Sequence, residues 1–202
     1  MTTETTATTP VIVVTATDAT VITTKCWGIS PQLILMKSQI ETTEIIQNFA
    51  KDIQGEGIEL AKAILKKIHQ NLKKIEMPEE EEHKIRWKRT ATQILQDGWV
   101  VQGKACTDLA VLFIALAKAK KLESKFVKLY SIKRKMLHSA VELTSQKIIL
   151  DVTNGKFDDS TKEIFFDEYK VYKKGRDSWD IGVTGIESVP EVMRIIGKET
   201  QL

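Results

Sequence analysis

The chain has 202 residues, of which 42% are hydrophobic and 28% charged, and its formal net charge is +3. This length can bury a core of one domain, and the charge is too small to indicate a nucleic-acid partner. No apolar run reaches the roughly 18 to 20 residues needed to cross a bilayer, so we expect no membrane partner. The two cysteines, Cys26 and Cys106, are too few for a disulfide framework, and free thiols indicate a cytoplasmic location.

The amino-terminal segment differs in composition from the rest. Residues 1–24 contain eleven threonines and no lysine or arginine, and so lack the positive start of a secretory signal. They are either a disordered tail or a marginal β-hairpin. With a connector that contains Gly28 and Pro31, they form a predicted appendage over residues 1–40, followed by one domain over 41–202.

The first half of that domain is predicted to be helical. Apolar residues at helical spacing begin near Thr42 and end at Gly55, and a clearer helix covers 58–75. The run "EEEEHKIRWKRT" at 79–90 indicates a solvated helix start or loop, and a short helix follows over 91–96.

The second half changes to strands. Alternating or β-branched runs predict four strands and one closing helix, at 125–132, 138–143, 147–152, 168–174 and 188–197. Helices followed by a mainly antiparallel sheet define an α+β fold.

Cys106 opens the most apolar helix of the chain, in the run "GKACTDLAVLFIALAKA" at 103–119. The N–H groups of a helix amino end favour a thiolate and can stabilise an oxyanion, although the nearby Asp108 would partly oppose the thiolate. The alternative is that Cys106 is a small buried hydrophobe.

His138 and Asp151 lie on either side of a predicted hairpin. If the turn is centred on residues 144–145, His138 lies directly opposite Asp151, and Glu142 faces Lys147 as an opposite-charge pair. A carboxylate beside an imidazole orients it and stabilises its protonated form. An ordinary surface histidine is the alternative, but together with Cys106 the three residues match nucleophile, base and orienting acid.

The segments "GKACTDLAVLFIALAKAKKLESKFV", "HSAVEL" and "LDVTNG" resemble the transglutaminase-like superfamily of prokaryotic type, over about residues 89–183. The resemblance implies a papain-like fold, with helices packed on the sheet and the nucleophile at a helix N-terminus. It also implies Cys106 as nucleophile, His138 as general base and acid, and Asp151 as its orienting partner. Relatives often have an aromatic residue at the position of Ala140.

An oxyanion site also needs a second donor besides the Cys106 backbone N–H. Relatives use an upstream Trp or Gln side chain, and of Trp87, Trp99 and Gln102 we expect Gln102 or Trp99.

Other charged residues suggest less chemistry. His69 and His83 have no partner at metal-ligand spacing, so no metal or other cofactor is expected. Residues 118–135 contain eight basic side chains and one acid, which form a solvated face or steer an acidic substrate towards the site. A nucleic-acid module, the weakest interpretation, would need exposed aromatic residues among those charges.

The sequence therefore predicts cysteine-dependent acyl transfer through a thioester, most simply as a protease or amidase. The expected partner is a protein or peptide with a glutamine or other amide group. Two alternatives stay open: transfer to an amine, as in a transglutaminase, and an inactive binding module that keeps the fold.

Overall fold

The computed structural model describes residues 38–131 and 133–199, and the threonine-rich segment and most of the predicted connector lie outside them. In the described part, the predicted α+β fold is confirmed. The helices and strands, in chain order, are α1 Glu44–Ala50, α2 Gly57–Asn71, β1 Lys73–Ile75, α3 Glu79–Ile85, α4 Ala91–Asp97, β2 Trp99–Val101, α5 Cys106–Ala119, β3 Ser124–Ser131, β4 Met136–Leu143, β5 Ile148–Asp151, β6 Lys156–Asp159, β7 Tyr169–Gly175 and α6 Val189–Glu199, with a 3₁₀ turn at Ile186–Ser188.

Helix α5 is the centre of the core. Residues 107–117 are all buried, between α1, α2 and α4 on one side and the sheet on the other. A helix that is apolar around its whole circumference is stable only when it is covered on every side. This covering fixes the position of its first residue, Cys106.

The main sheet is antiparallel, with strand order β6-β5-β4-β3-β7, and β1 and β2 form a separate parallel pair. One face of the main sheet packs on α5 through residues such as Phe126 and Val141. The other face carries a smaller cluster that includes Leu129, Ala140 and Tyr169.

The predicted hairpin register is wrong by two residues. The loop has four residues, 144–147, because Lys147 adopts a left-handed conformation at φ 54° and its N–H donates to the Thr144 carbonyl. Val141 pairs with Leu150, so one further step along the strands places Asp151 opposite Ala140 instead of His138. The Glu142 carboxylate accordingly meets Lys174, at 2.8 Å, and not Lys147.

This error leaves the predicted faces unchanged. Side chains alternate with a period of two, so a slip of two residues keeps His138 and Asp151 on the same face, now as a diagonal pair. Diagonal neighbours are within reach of each other's side chains.

Two further differences concern segments outside the hairpin. The predicted helix 58–75 ends at Asn71, because Lys73–Ile75 forms β1 and pairs with β2. Strand β6 has no counterpart in the prediction; it pairs with β5 at the edge of the sheet.

Gln39, placed by the sequence in the connector, is part of the packed domain. Its side-chain amide donates to the carbonyls of Trp87 and Arg89 at 3.1 and 3.0 Å. Its side-chain oxygen accepts from the backbone N–H and hydroxyl of Ser178 at 3.1 and 2.6 Å. Gln39 therefore joins the segment that contains Trp87 to the loop after β7.

We expect Gln39→Leu to lower the free energy of unfolding by about 2–3 kcal/mol, because it leaves several buried polar groups without partners. Urea denaturation would measure the difference. The same change at the exposed Gln47 serves as the control and should alter stability by less than about 0.5 kcal/mol. Equal stability of the two variants would show that the Gln39 hydrogen bonds are not needed.

Candidate active site

Cys106 lines a cavity of about 240 Å³ at the amino end of α5. The cavity wall combines apolar side chains with three basic ones, and its members include Arg86, Trp87, Lys104, Lys135, Met136, Leu137, Val189 and Met193. The thiol is free and partly exposed. It is therefore accessible to a small probe from this cavity.

The turn between β2 and α5 places Cys106 at this cavity. Strand β2 ends at Val101, and a turn follows in which Gly103 adopts φ 72° and the Lys104 N–H donates to the Val101 carbonyl at 3.1 Å. Ala105 precedes the helix without a side-chain cap. The N–H groups of the first turn are thus not occupied by a capping side chain, as an anion site at a helix amino end requires.

His138, on β4, is buried and lies beside Asp151, with Nε2 3.1 Å from Oδ1. This is an ion-pair distance, although Nε2 makes no hydrogen bond of good geometry. The ring also packs on Tyr169, with 5.2 Å between ring centroids. Hydrogen bonds of catalytic groups are often poorly aligned before substrate binds.

Asp151 is held in place by the turn that follows β5. Oδ1 accepts from the N–H groups of Thr153 and Asn154, and Oδ2 accepts from the Asn154 side-chain amide at 2.7 Å. Burial would raise the pKa of Asp151, but the nearby His138 with its charge, and the hydrogen bonds from Asn154, lower it below its usual value. The carboxylate therefore stays ionised beside the imidazole.

The thiol and the imidazole shift each other's proton affinity. Burial alone would raise the pKa of Cys106, but a hydrogen bond and the charge of His138, followed by the charge of Lys128, lower it to about 6. Burial opposes the charged form of His138, yet the neighbouring Asp151 and Cys106 with their negative charges raise its pKa to about 10. Between these two pH values the pair is a thiolate and an imidazolium.

Lys128 is a buried cation that the sequence analysis treated only as part of a surface charge run. Its ammonium donates to Ser139 Oγ at 3.0 Å and Thr107 Oγ1 at 3.3 Å, and it lies 4.2 Å from the centre of the Trp87 ring. A signal was present in "KFVKLYSI", since Lys128 takes the same strand face as the buried Phe126 and Tyr130.

Asp108 is compensated by a partner that the sequence analysis did not assign. The buried Arg89 donates to the carboxylates of Asp108 and Asp97 and stacks on the Trp99 ring at 4.3 Å. Burial raises the pKa of Asp108, and the Arg89 charge works in the opposite direction. The expected opposition between Asp108 and the Cys106 thiolate is therefore weakened.

The two expected oxyanion donors lie away from the wall of this cavity. Gln102 is exposed and lines a neighbouring groove with Glu79 and Glu82, and Trp99 stacks on Arg89. Trp87 is the tryptophan that lines the cavity with Cys106. A role for Gln102 or Trp99 as oxyanion donor stays a prediction without support from this placement.

The remaining candidates have other surroundings. His69 Nε2 lies 2.7 Å from the Val152 carbonyl oxygen, and His83 lies 3.4 Å from Glu79. No group of three or more potential metal ligands occurs within 38–131 and 133–199. Among these same residues, no helix is both long and apolar enough to cross a bilayer.

Comparison with known proteins shows which solved structures have a similar fold. No family profile and no curated protein matches the sequence at a significant level. The structure is similar to a candidate cysteine protease from Cytophaga hutchinsonii, with a TM-score of 0.53 and 19% identity over 73% of this chain and 47% of that one. It also matches LapG of Legionella pneumophila, with a TM-score of 0.47 and 15% identity over 73% of this chain and 83% of that one. The chain thus spans about half the length of the Cytophaga protein, and it has a papain-like, transglutaminase-like fold.

Proposed function

We propose that the chain is a cysteine-dependent enzyme that cleaves amide or peptide bonds through a thioester, with Cys106, His138 and Asp151 as its catalytic triad. The observation that carries this proposal is the contact of a helix-terminal thiol with an imidazole that is itself 3.1 Å from a fixed carboxylate. Nucleophile, base and orienting group in this order are the arrangement of covalent acyl transfer. A cytoplasmic location would keep the thiol reduced.

The groups supply each step of such a reaction. The Cys106 thiolate attacks the carbonyl carbon, and the carbonyl oxygen takes the electron pair and faces the N–H groups at the start of α5. Collapse of this intermediate expels the amine, which takes a proton from the His138 imidazolium, and leaves a thioester. His138 then accepts a proton from the attacking water, the sulfur leaves as thiolate, and the carboxylic acid is released.

Hydrolysis is preferred to amine transfer because the Cytophaga protein of the same fold is described as a candidate cysteine protease. The substrate is proposed to be a protein or peptide, and the cavity wall suggests its character. Lys104 and Lys135 line the cavity, and neither has an ion-pair partner within the described residues. These charges favour a substrate with acidic residues near the cleaved bond.

The first prediction concerns turnover. A glutamine-containing peptide incubated with the parent should release ammonia or be cleaved, and Cys106→Ala should reduce the rate by at least about 100-fold. Cys26→Ser is the matched control and should retain the rate. Amine incorporation that outruns hydrolysis in excess primary amine would replace the hydrolase by a transglutaminase. A rate unaffected by Cys106→Ala would contradict the role of Cys106 as nucleophile, and no turnover by the parent would favour the inactive binding module.

The second prediction concerns the pH dependence of Cys106 alkylation by iodoacetamide in the Cys26→Ser background. The rate in the parent should rise with pH through about 6, where the thiol loses its proton. In His138→Ala the alkylation rate should rise only above the ordinary thiol pKa of about 8.5. Burial then raises the pKa of Cys106, and no imidazolium is present to lower it. His83→Ala, a change at a partly buried histidine that does not line the cavity, should leave the profile in place. Identical profiles for His138→Ala and the parent would contradict the pair.

The third prediction concerns substrate charge. Lys135→Glu should lower kcat/KM for an acidic peptide several-fold more than for a neutral one, with a loss that shrinks as salt is added. Lys170→Glu, at an exposed residue of β7, is the control for net charge. An equal loss for both peptides would show that the Lys135 charge does not select the substrate.

A further inference from the structure

Lys128 is a charged group without a carboxylate to balance it. The side chain is fully buried, and its ammonium is held by two hydroxyl groups and an aromatic ring. No carboxylate lies within ion-pair distance of it in the described part of the chain. The burial of a charge costs free energy unless an opposite charge lies nearby. We therefore expect an anion close to Lys128.

The surroundings of Lys128 point to the sulfur of Cys106. The ammonium contacts Thr107 of α5, which is the residue next to Cys106. It also contacts Ser139 of β4, which is the residue next to His138. The Ser139 hydroxyl, which accepts from the ammonium, also lowers the pKa of Cys106, so the same hydroxyl acts on both groups. The Trp87 ring packs against the ammonium as its third neighbour. The positive charge of the nearby Arg86 lowers the pKa of Lys128.

We propose that Lys128 is a positioning residue that holds the Cys106 thiolate as a second counter-cation, with Ser139 as the hydroxyl between the two. This inference rests on the proposed function. Lys128 is not part of the cavity wall, so it meets no substrate and acts through the sulfur alone.

The two cations have different tasks in this arrangement. His138 gives up its proton to the leaving amine and regains it from water, so its charge disappears during each turnover. Lys128 exchanges no proton with the substrate and stays charged at a pH below about 8, and it therefore favours the thiolate both before attack and as the group that leaves the thioester. The desolvated position explains why the pKa of Lys128 falls to about 8, with the Cys106 charge opposing the fall.

The experiment is the alkylation profile of Cys106 in the full chain with Cys26→Ser. In Lys128→Met, which keeps the length of the side chain without its charge, we expect the apparent pKa of the thiol to rise by about 1. Lys125→Met makes the same change at an exposed position of the same strand and should leave the pKa unchanged. An unchanged pKa in a folded Lys128→Met variant overturns the proposal, and thermal unfolding reports whether it is folded.

A reciprocal measurement does not depend on the folding of Lys128→Met. If the sulfur and the ammonium stabilise each other, removal of the thiolate must lower the pKa of Lys128. NMR of ¹³Cε-labelled lysine should show a lower pKa of Lys128 in Cys106→Ser than in the parent. Equal values in the two proteins overturn the proposal.

The outcomes separate this inference from the proposed function. If the parent thiol itself titrates near 8.5, the thiolate pair is not assembled and the proposed function fails. If the parent thiol titrates near 6 and responds to His138→Ala but not to Lys128→Met, the catalytic pair stands and only the role of Lys128 is lost.

Discussion

The burial of α5 is the constraint on which the rest of the structure depends. Because its residues 107–117 are covered on every side, the helix can neither slide nor turn without exposing apolar surface. Its first residue, Cys106, is therefore fixed in position while it lines the cavity at the amino end of the helix. A reactive thiol needs both conditions at once, a rigid support and an accessible end.

The same burial places the negative charges of Asp108 and the Cys106 thiolate close together at the start of α5, and nearby cations compensate them. Asp108 would disfavour a neighbouring thiolate, but Arg89 lies against it and carries the opposite charge. His138 and the buried Lys128 both lower the pKa of the sulfur, and Lys128 is held by Ser139. In a low-dielectric surrounding such charges act strongly on one another, and cations therefore decide the protonation state of the sulfur more than exposure does.

Much of this fold and candidate site follows from sequence periodicity, and the rest depends on tertiary contacts. The alternation in β4 and β5 gives the shared face of His138 and Asp151 correctly, even though the hairpin register is displaced by two residues. The loop length could not be predicted because it depends on the left-handed conformation of Lys147, a residue with no special preference for it. The position of Lys128 on an apolar strand face is visible in the sequence. Its hydrogen-bond partners could not be predicted, because they belong to α5 and β4 and are brought together only by the fold.

Ala140 explains how the displaced register still permits the contact between His138 and Asp151. Ala140 takes the position opposite Asp151 and is fully buried, so a larger side chain there would stand between the carboxylate and the diagonal imidazole. An aromatic ring reaches the imidazole from another strand, because Tyr169 of β7 packs on His138 with 5.2 Å between the ring centroids. The small side chain that leaves room for the contact and the ring that covers the imidazole thus come from different parts of the chain.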